Sequence, residues 1–214
     1  EIDNLTGMSV EIRTGVSFGT DVTFDSLSDD GYAAFFLATG LHGSTALRIP
    51  GEDLDGVIPG TDLLRRIALD EPVKLGEKVA IIGGGNVAID CARSCVRLGA
   101  ESVTVVYRRS REEMPAWDIE VAAAEAEGVE FQLLAAPIRL IDENGRITGM
   151  ETIRMALGEP DDSGRRRPRP VEGSETVMSV DTVVTAIGQA ADPDFLGKLG
   201  LEVERWGTIR AAEG

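Results

Sequence analysis

The sequence predicts an α/β protein built on a parallel sheet, and three observations carry that expectation. Strand-like apolar runs alternate with helix-like segments through most of the 214 residues. A glycine turn, Gly83-Gly84-Gly85, joins one such strand directly to one such helix. The composition, 43% hydrophobic and 27% charged, supplies enough apolar side chains for a buried core.

Taken in order, short strands are expected at Ser9 to Arg13 and Val22 to Phe24, and a stronger one at Tyr32 to Ala38, ending in Ala38-Thr39-Gly40. Ile49 to Gly60, with its prolines and glycines, reads as a loop. A short helix is predicted over Thr61 to Ala68 with Thr61 as N-cap. The polar stretch Asp70 to Gly76 reads as a hinge, placing a domain boundary at 71/72. Lys78 to Ile82 is then a strand, and Asn86 to Leu98 a helix that Gly99 closes. Ser102 to Tyr107 is a second strand, Asp118 to Glu127 an alanine-rich helix, and Val129 to Leu134 a third strand. From 137 to 180, strands separated by Asp-Glu-Asn-Gly and by a basic, proline-rich turn predict a β-meander. Thr182 to Ile187 closes the pattern, ending at Gly188.

Composition also narrows the function classes. A net charge of −16 argues against nucleic acid as a partner, because phosphate binding needs a basic surface. No apolar run approaches the roughly 20 residues of a membrane span. Cys91 and Cys95 are spaced for one helix face. They read as small buried side chains in a reducing, hence cytoplasmic, compartment, with a redox or metal role as the lesser alternative. One histidine, His42, does not make a metal site. The chain opens on Glu1-Ile2-Asp3-Asn4 and stops at Ala-Ala-Glu-Gly, as expected of a piece of a longer protein.

Val79 to Ala88 has the form strand, G-x-G-x-x-A, helix. Gly83 permits the sharp turn, Gly85 presents no side chain to a pyrophosphate, and Ala88 lets the helix pack close to the strand. The unpaired N–H groups of the first helical turn then favour an anion. This is the signature of a Rossmann-like dinucleotide domain, expected over 72–187. Which dinucleotide is decided after the next strand. An NAD site places a carboxylate there, whereas Tyr107 is followed by Arg108 and Arg109. Guanidinium groups grip a 2′-phosphate that a carboxylate would repel. NADPH is the expected ligand, with an NADH-using relative as the alternative.

Gly83 to Asp90 (GGGNVAID), Tyr107-Arg108-Arg109, Glu113-Met114-Pro115, Leu157-Gly158-Glu159-Pro160, Gly164-Arg165-Arg166-Arg167-Pro168 and Thr185-Ala186-Ile187-Gly188-Gln189 together resemble the glutamate synthase small subunit. The same block resembles other FAD-dependent pyridine nucleotide oxidoreductases, and the likeness covers nearly the whole chain. The resemblance implies an FAD domain interrupted by an NADPH domain, with the nicotinamide passing a hydride to the flavin. Segments 1–71 and 188–214 would then be partial pieces of the FAD-binding domain. Gly83, Gly85, Asn86 and Val87 would line the pyrophosphate, Arg108 and Arg109 the 2′-phosphate, and Ile187 and Gly188 the nicotinamide side. The glycine fingerprint for FAD and the iron–sulfur cysteines of the full proteins are not in this sequence. NADP(H) is therefore expected to bind and FAD weakly or not at all. The missing FAD-domain segments and an electron-accepting subunit or domain are the implied partners.

No catalytic acid, base or metal ligand is expected, because the cofactors carry the chemistry. A nucleotide-binding module without turnover stays open as an alternative. The run Arg165 to Arg169 reads as a solvated hairpin loop rather than a nucleic-acid patch. Trp117 is expected near the nicotinamide or capping a helix on the core. Asp161-Asp162 with Glu159 lacks the spacing of a calcium loop.

Overall fold

The computed structural model describes residues 2–204 and 208–210. The chain divides into two compact units, one made of 1–41 with 191–214 and the other of 42–190. The first unit is sparse in regular structure. It holds α1 (Ile2–Gly7), α2 (Phe24–Asp29) and a further helix, Pro193–Lys198. Helix α2 is capped by Thr23, in the stretch the sequence suggested as a strand. The Thr23 Oγ1 accepts from the Ser26 N–H (3.1 Å) while the Ser26 Oγ accepts from the Thr23 N–H (2.9 Å). That reciprocal cap outweighs the β propensity of Val22 and Phe24. The expected strands at 9–13 and 32–38 do not form either. A strand needs a hydrogen-bonded neighbour, and none of the described residues pairs with them. Instead Phe18, Phe24 and Phe35 make edge-on ring contacts, with centroids 4.9 and 5.1 Å apart.

The second unit is layered. Its central sheet comprises β2 (Val57–Pro59), β3 (Lys78–Ile82), β4 (Ser102–Tyr107), β5 (Glu130–Leu133) and β10 (Thr182–Thr185). The strands lie in the order β2-β10-β3-β4-β5 and every neighbouring pair is parallel. Helices α3 (Gly60–Ala68), α4 (Asn86–Arg97) and α5 (Asp118–Ala126) make the crossovers. Side chains alternate across the sheet, so Val79 and Ile81 join Leu63, Ile89, Cys91, Cys95 and Val121 in one apolar cluster. Ala80 and Ile82 join Leu140, Ile147, Met150 and Val183 in another. The expected boundary at 71/72 therefore moves to 41/42, because β2 pairs with β10 inside this sheet and Leu63 of α3 is fully buried in its core. Val57 to Pro59, read as loop, is that edge strand, the position where a proline does least harm. Helix α3 begins after Pro59 rather than at Thr61, whose hydroxyl donates to the His42 carbonyl (3.4 Å). A two-stranded ladder, β1 (Gly43–Ser44) with β11 (Gln189–Ala190), completes the unit's ends.

The second apolar cluster is covered by an antiparallel sheet of β6 (Ala135–Glu143), β7 (Arg146–Pro160), β8 (Arg166–Pro170) and β9 (Thr176–Met178). Asn144 and Gly145, both with positive φ, make the two-residue turn between β6 and β7. The meander expected at 137–180 is modified in one respect. Strand β8 pairs with Met155 to Pro160, and β9 returns to Met150 to Thr152, beside β7 rather than β8. Among the described residues no helix is long and apolar enough to cross a membrane.

The linker into β3 is held by the Asp181 carboxylate, which accepts from the N–H groups of Glu77 (2.9 Å) and Lys78 (3.1 Å). Asp181→Ala leaves those donors to solvent and should lower unfolding stability by about 1–2 kcal/mol, read by urea titration. The two cysteines are fully buried. Burial pushes both thiols up, Cys95 to about 12, so they stay protonated at neutral pH. Thiol-specific reagents at pH 8 should label neither cysteine until the chain is denatured; labelling of the native protein would contradict that burial.

Candidate functional site

A cavity of about 640 Å³ opens at the carboxyl ends of β3, β4 and β10. Ligands of open parallel sheets sit there, because strand-to-helix turns supply unpaired backbone groups. All eight sequence-predicted positions, Gly83, Gly85, Asn86, Val87, Arg108, Arg109, Ile187 and Gly188, line it. So do Gly84, Tyr107, Pro115, Thr45 and Arg165, which sequence reasoning did not single out as site residues.

The three glycines of the turn have three different reasons. At Gly83, φ is +145°, and a Cβ would overlap the Ala186 carbonyl oxygen, so the turn and the neighbouring strand both demand glycine. At Gly84 a Cβ would lie 2.6 Å from the ring of Tyr107. That ring is buried, and its hydroxyl donates to the Glu113 carbonyl (2.8 Å). Gly85 is different. Its φ of −93° suits any residue, and a Cβ would meet nothing closer than Pro115 at 3.8 Å. Apart from Pro115 and its own chain neighbours, no described residue comes within 4 Å of that position, so the Gly85 backbone faces open space on the cavity.

Gly85 is also the N-cap of α4 and offers no side chain to the first turn. The N–H groups of Asn86 and Val87 thus receive no side-chain cap and stand at the positive end of a 12-residue helix. The Asn86 side chain is occupied, its Oδ1 accepting from the Trp117 N–H (3.1 Å). With the Ala116 N–H donating to the Gly84 carbonyl (3.2 Å), this fastens the 114–117 segment beside the glycine turn. Trp117 occupies the N-cap position of α5, as one of the two expectations had it, but at 67% exposure it is not packed on the core, nor is it among the cavity-lining residues.

The two arginines after β4 part company. Arg108 is exposed and makes no side-chain hydrogen bond or ion pair with any described residue. Arg109 is 4% exposed, and its Nε donates to the Arg166 carbonyl (2.7 Å) while its Nη2 meets the Asp161 carboxylate (2.6 Å). Both arginines line the cavity, as expected, but they differ in charge balance, because the Arg109 guanidinium is paired with Asp161. Next to it, the Arg166 Nε meets the Glu113 carboxylate, which also accepts from the Ser110 hydroxyl (2.5 Å). The Arg166 bond first, then Ser110, holds the Glu113 carboxyl below the usual carboxylate range. Asp161 is lowered chiefly by the Ser163 hydroxyl, with Arg109 contributing. Strand β10 ends at Thr185, and Ile187 and Gly188 lie just beyond it. The Gly188 carbonyl accepts from the Thr45 N–H (3.1 Å). No cluster of metal ligands occurs among the described residues.

A parallel sheet whose glycine turn meets a helix N-terminus over an open cavity defines a dinucleotide-binding unit. The model of the pyridine nucleotide-disulphide oxidoreductases matches residues 2–214, and the chain belongs to that family. It is 52% identical to the NADP(+)-dependent formate dehydrogenase subunit beta of Moorella thermoacetica, over 98% of this chain and 30% of that protein. To the glutamate synthase [NADPH] small chain of Escherichia coli (strain K12) it is 39% identical, over 98% of this chain and 47% of that one. The chain thus spans about a third to a half of the length of these relatives. The structure of FprA from Mycobacterium tuberculosis in complex with NADPH superposes with a TM-score of 0.73 at 21% identity, covering 92% of this chain and 58% of that one. That likeness is one of fold. The resemblance to the glutamate synthase small subunit and the α/β reading of the sequence both hold.

The glycine turn gives a stability contrast. Gly84→Ala should cost about 1–3 kcal/mol in a urea titration, because the buried Tyr107 ring must shift. Gly85→Ala should stay within about 0.5 kcal/mol of the parent. Equal losses at both positions would show that Gly85 too is held by packing.

Proposed function

We propose that this chain is the NADPH-binding portion of a flavin-dependent oxidoreductase that passes hydride from NADPH to FAD for onward electron transfer. The observation that carries the reading is the open backbone at Gly85, Asn86 and Val87, on the same cavity as the Arg108 guanidinium, which has no partner among the described residues. The first feature suits a pyrophosphate; the second suits the 2′-phosphate that distinguishes NADPH from NADH. The names of the relatives, an NADP(+)-dependent dehydrogenase subunit and an NADPH-linked glutamate synthase chain, support the choice.

In this reading Gly85, Asn86 and Val87 receive the pyrophosphate through backbone N–H groups and the helix dipole, while Gly83, whose own N–H donates to the Val106 carbonyl (3.1 Å), lines the pyrophosphate side by keeping the turn bare of a side chain. Arg108 receives the 2′-phosphate, and Arg109 lies behind it. Ile187 and Gly188, beyond the end of β10, flank the nicotinamide. The nicotinamide supplies the hydride and FAD the two-electron acceptor when both are bound. The chain's own residues bind and orient, and no acid or base is required of them. The remaining FAD-domain segments of the whole protein and an electron-accepting subunit are its partners, in keeping with relatives that are subunits of larger enzymes.

Titration with NADPH and NADH, followed by nicotinamide fluorescence, tests the reading. NADPH should bind at least roughly tenfold more tightly than NADH, the difference expected from about 1.5–3 kcal/mol of charge-assisted hydrogen bonding. Arg108→Ala should remove most of that preference, and Gly85→Ala should weaken both nucleotides. Equal affinity of the parent chain for the two would overturn the assignment to NADPH.

A further inference from the structure

Arg108, Arg109 and Arg165 line the cavity, Arg111 and Arg166 lie close to them in sequence, and the surroundings divide these five arginines. Arg109 is balanced by Asp161, Arg111 by Glu125, and Arg166 by Glu112 and Glu113. Arg108 and Arg165 both line the cavity, and neither has a carboxylate partner among the described residues. Arg165 lies on the turn between β7 and β8, far in sequence from Arg108, which follows the end of β4.

We propose that Arg165 is the second guanidinium of the 2′-phosphate subsite, opposite in sequence but joined to Arg108 by the cavity, and that Arg109 is a positioning residue that sets the Arg165 turn through Asp161. The inference rests on the reading of this cavity as an NADPH site. A 2′-phosphate carries close to two negative charges at neutral pH, so two unbalanced guanidinium groups match it where one balanced and one free do not.

The turn is built to hold Arg165 in place. Asp161 organises it: its N–H donates to the Arg165 carbonyl (2.8 Å), and its carbonyl accepts from the Gly164 N–H (2.8 Å). Its Oδ1 accepts from the Ser163 N–H (2.9 Å) and hydroxyl (2.5 Å). The Ser163 hydroxyl in turn accepts from the Arg165 Nε (2.9 Å), leaving both Nη groups of Arg165 without a partner among the described residues. The remaining Asp161 oxygen, Oδ2, meets the Arg109 Nη2 (2.6 Å). Arg109 also donates to the backbone of Arg166, so one buried side chain anchors both sides of the turn to the end of β4. The adjacent arginine, Arg167, is an internal contrast: it is exposed, only 4.0 Å from Asp162, and absent from the cavity wall.

The test measures the affinity of the full chain for NADPH, NADH and adenosine 2′,5′-bisphosphate in four variants. Arg165→Ala should weaken NADPH and the bisphosphate roughly tenfold or more and leave NADH nearly unchanged. Asp161→Asn keeps the turn's acceptor but loses the charge facing Arg109, and should lower the NADPH-to-NADH preference in the same direction by less. Arg109→Lys, which retains charge without the two-point anchor, should behave like Asp161→Asn. Arg167→Ala should change neither nucleotide. If the parent chain prefers NADPH but Arg165→Ala keeps that preference, or if Arg167→Ala reduces it as much, the inference about Arg165 falls while the NADPH reading stands. If Asp161→Asn weakens NADH as much as NADPH, the role given to Arg109 falls. A parent chain with no preference removes both.

Discussion

The close approach of the glycine turn to its neighbours governs the rest of the second unit. Ala186 places its carbonyl where a Gly83 side chain would be, and Tyr107 lays its ring where a Gly84 side chain would be. These contacts bring β10 and β4 against the two sides of the turn after β3. They also fix where α4 begins, because the helix can start only once the chain has cleared both neighbours. The Tyr107 hydroxyl bond to Glu113 then carries the same constraint outward to the segment that reaches Trp117. Substituting either glycine would therefore disturb the sheet, the helix start and the cavity wall at once.

The second layer of organisation is electrostatic. Asp161 and Glu113 each accept from an arginine and from a serine hydroxyl, and together they fasten the β7–β8 turn to the end of β4. These ion pairs each join a buried side chain to a partly exposed one, so desolvation and solvent screening offset much of the attraction, but they define geometry. Their contribution also has a sign. Both carboxyls are held below their usual range, so the stabilisation is present above that range and is lost as pH falls through the lowered values. The antiparallel sheet, which covers one apolar face of the parallel sheet, is in this way also tied to the cavity.

The parts legible in the sequence are those where local pattern and long-range packing agree. Strand β3, the turn, α4 and β4 were readable because an apolar run, three glycines and a helix period follow one another without interruption. Other parts depended on distant partners. Val57 to Pro59 is too short and too proline-bound to announce a strand, and only β10, over a hundred residues on, makes it one. Tyr32 to Ala38 has strand composition but no neighbour to pair with among the described residues. The fate of Arg109 could not be read from Arg108-Arg109 because its partner, Asp161, lies 52 residues away. The arginine run 165–169, read as a solvated loop, leaves only Arg165 on the turn, with 166–169 in strand β8, and nothing local distinguishes Arg165, on the cavity, from Arg167, in solvent.

That distinction bears on how an acidic chain handles an anionic ligand. With a net charge of −16, the long-range field opposes the approach of a dinucleotide carrying several negative charges. At physiological ionic strength the field is screened over about 8 Å, so binding is settled by groups at the cavity itself. There the α4 N-terminus supplies partial positive charge without a counter-ion, since backbone N–H groups cannot be neutralised by a neighbouring carboxylate reaching across a packed turn. Arginines can be neutralised, and Arg109, Arg111 and Arg166 are. Counting arginines near a phosphate subsite therefore overstates its charge, and the measure that matters is how many remain unbalanced. By that measure the subsite is defined across the cavity, with one contribution from the end of β4 and the other from a turn whose own acid serves to hold it in place.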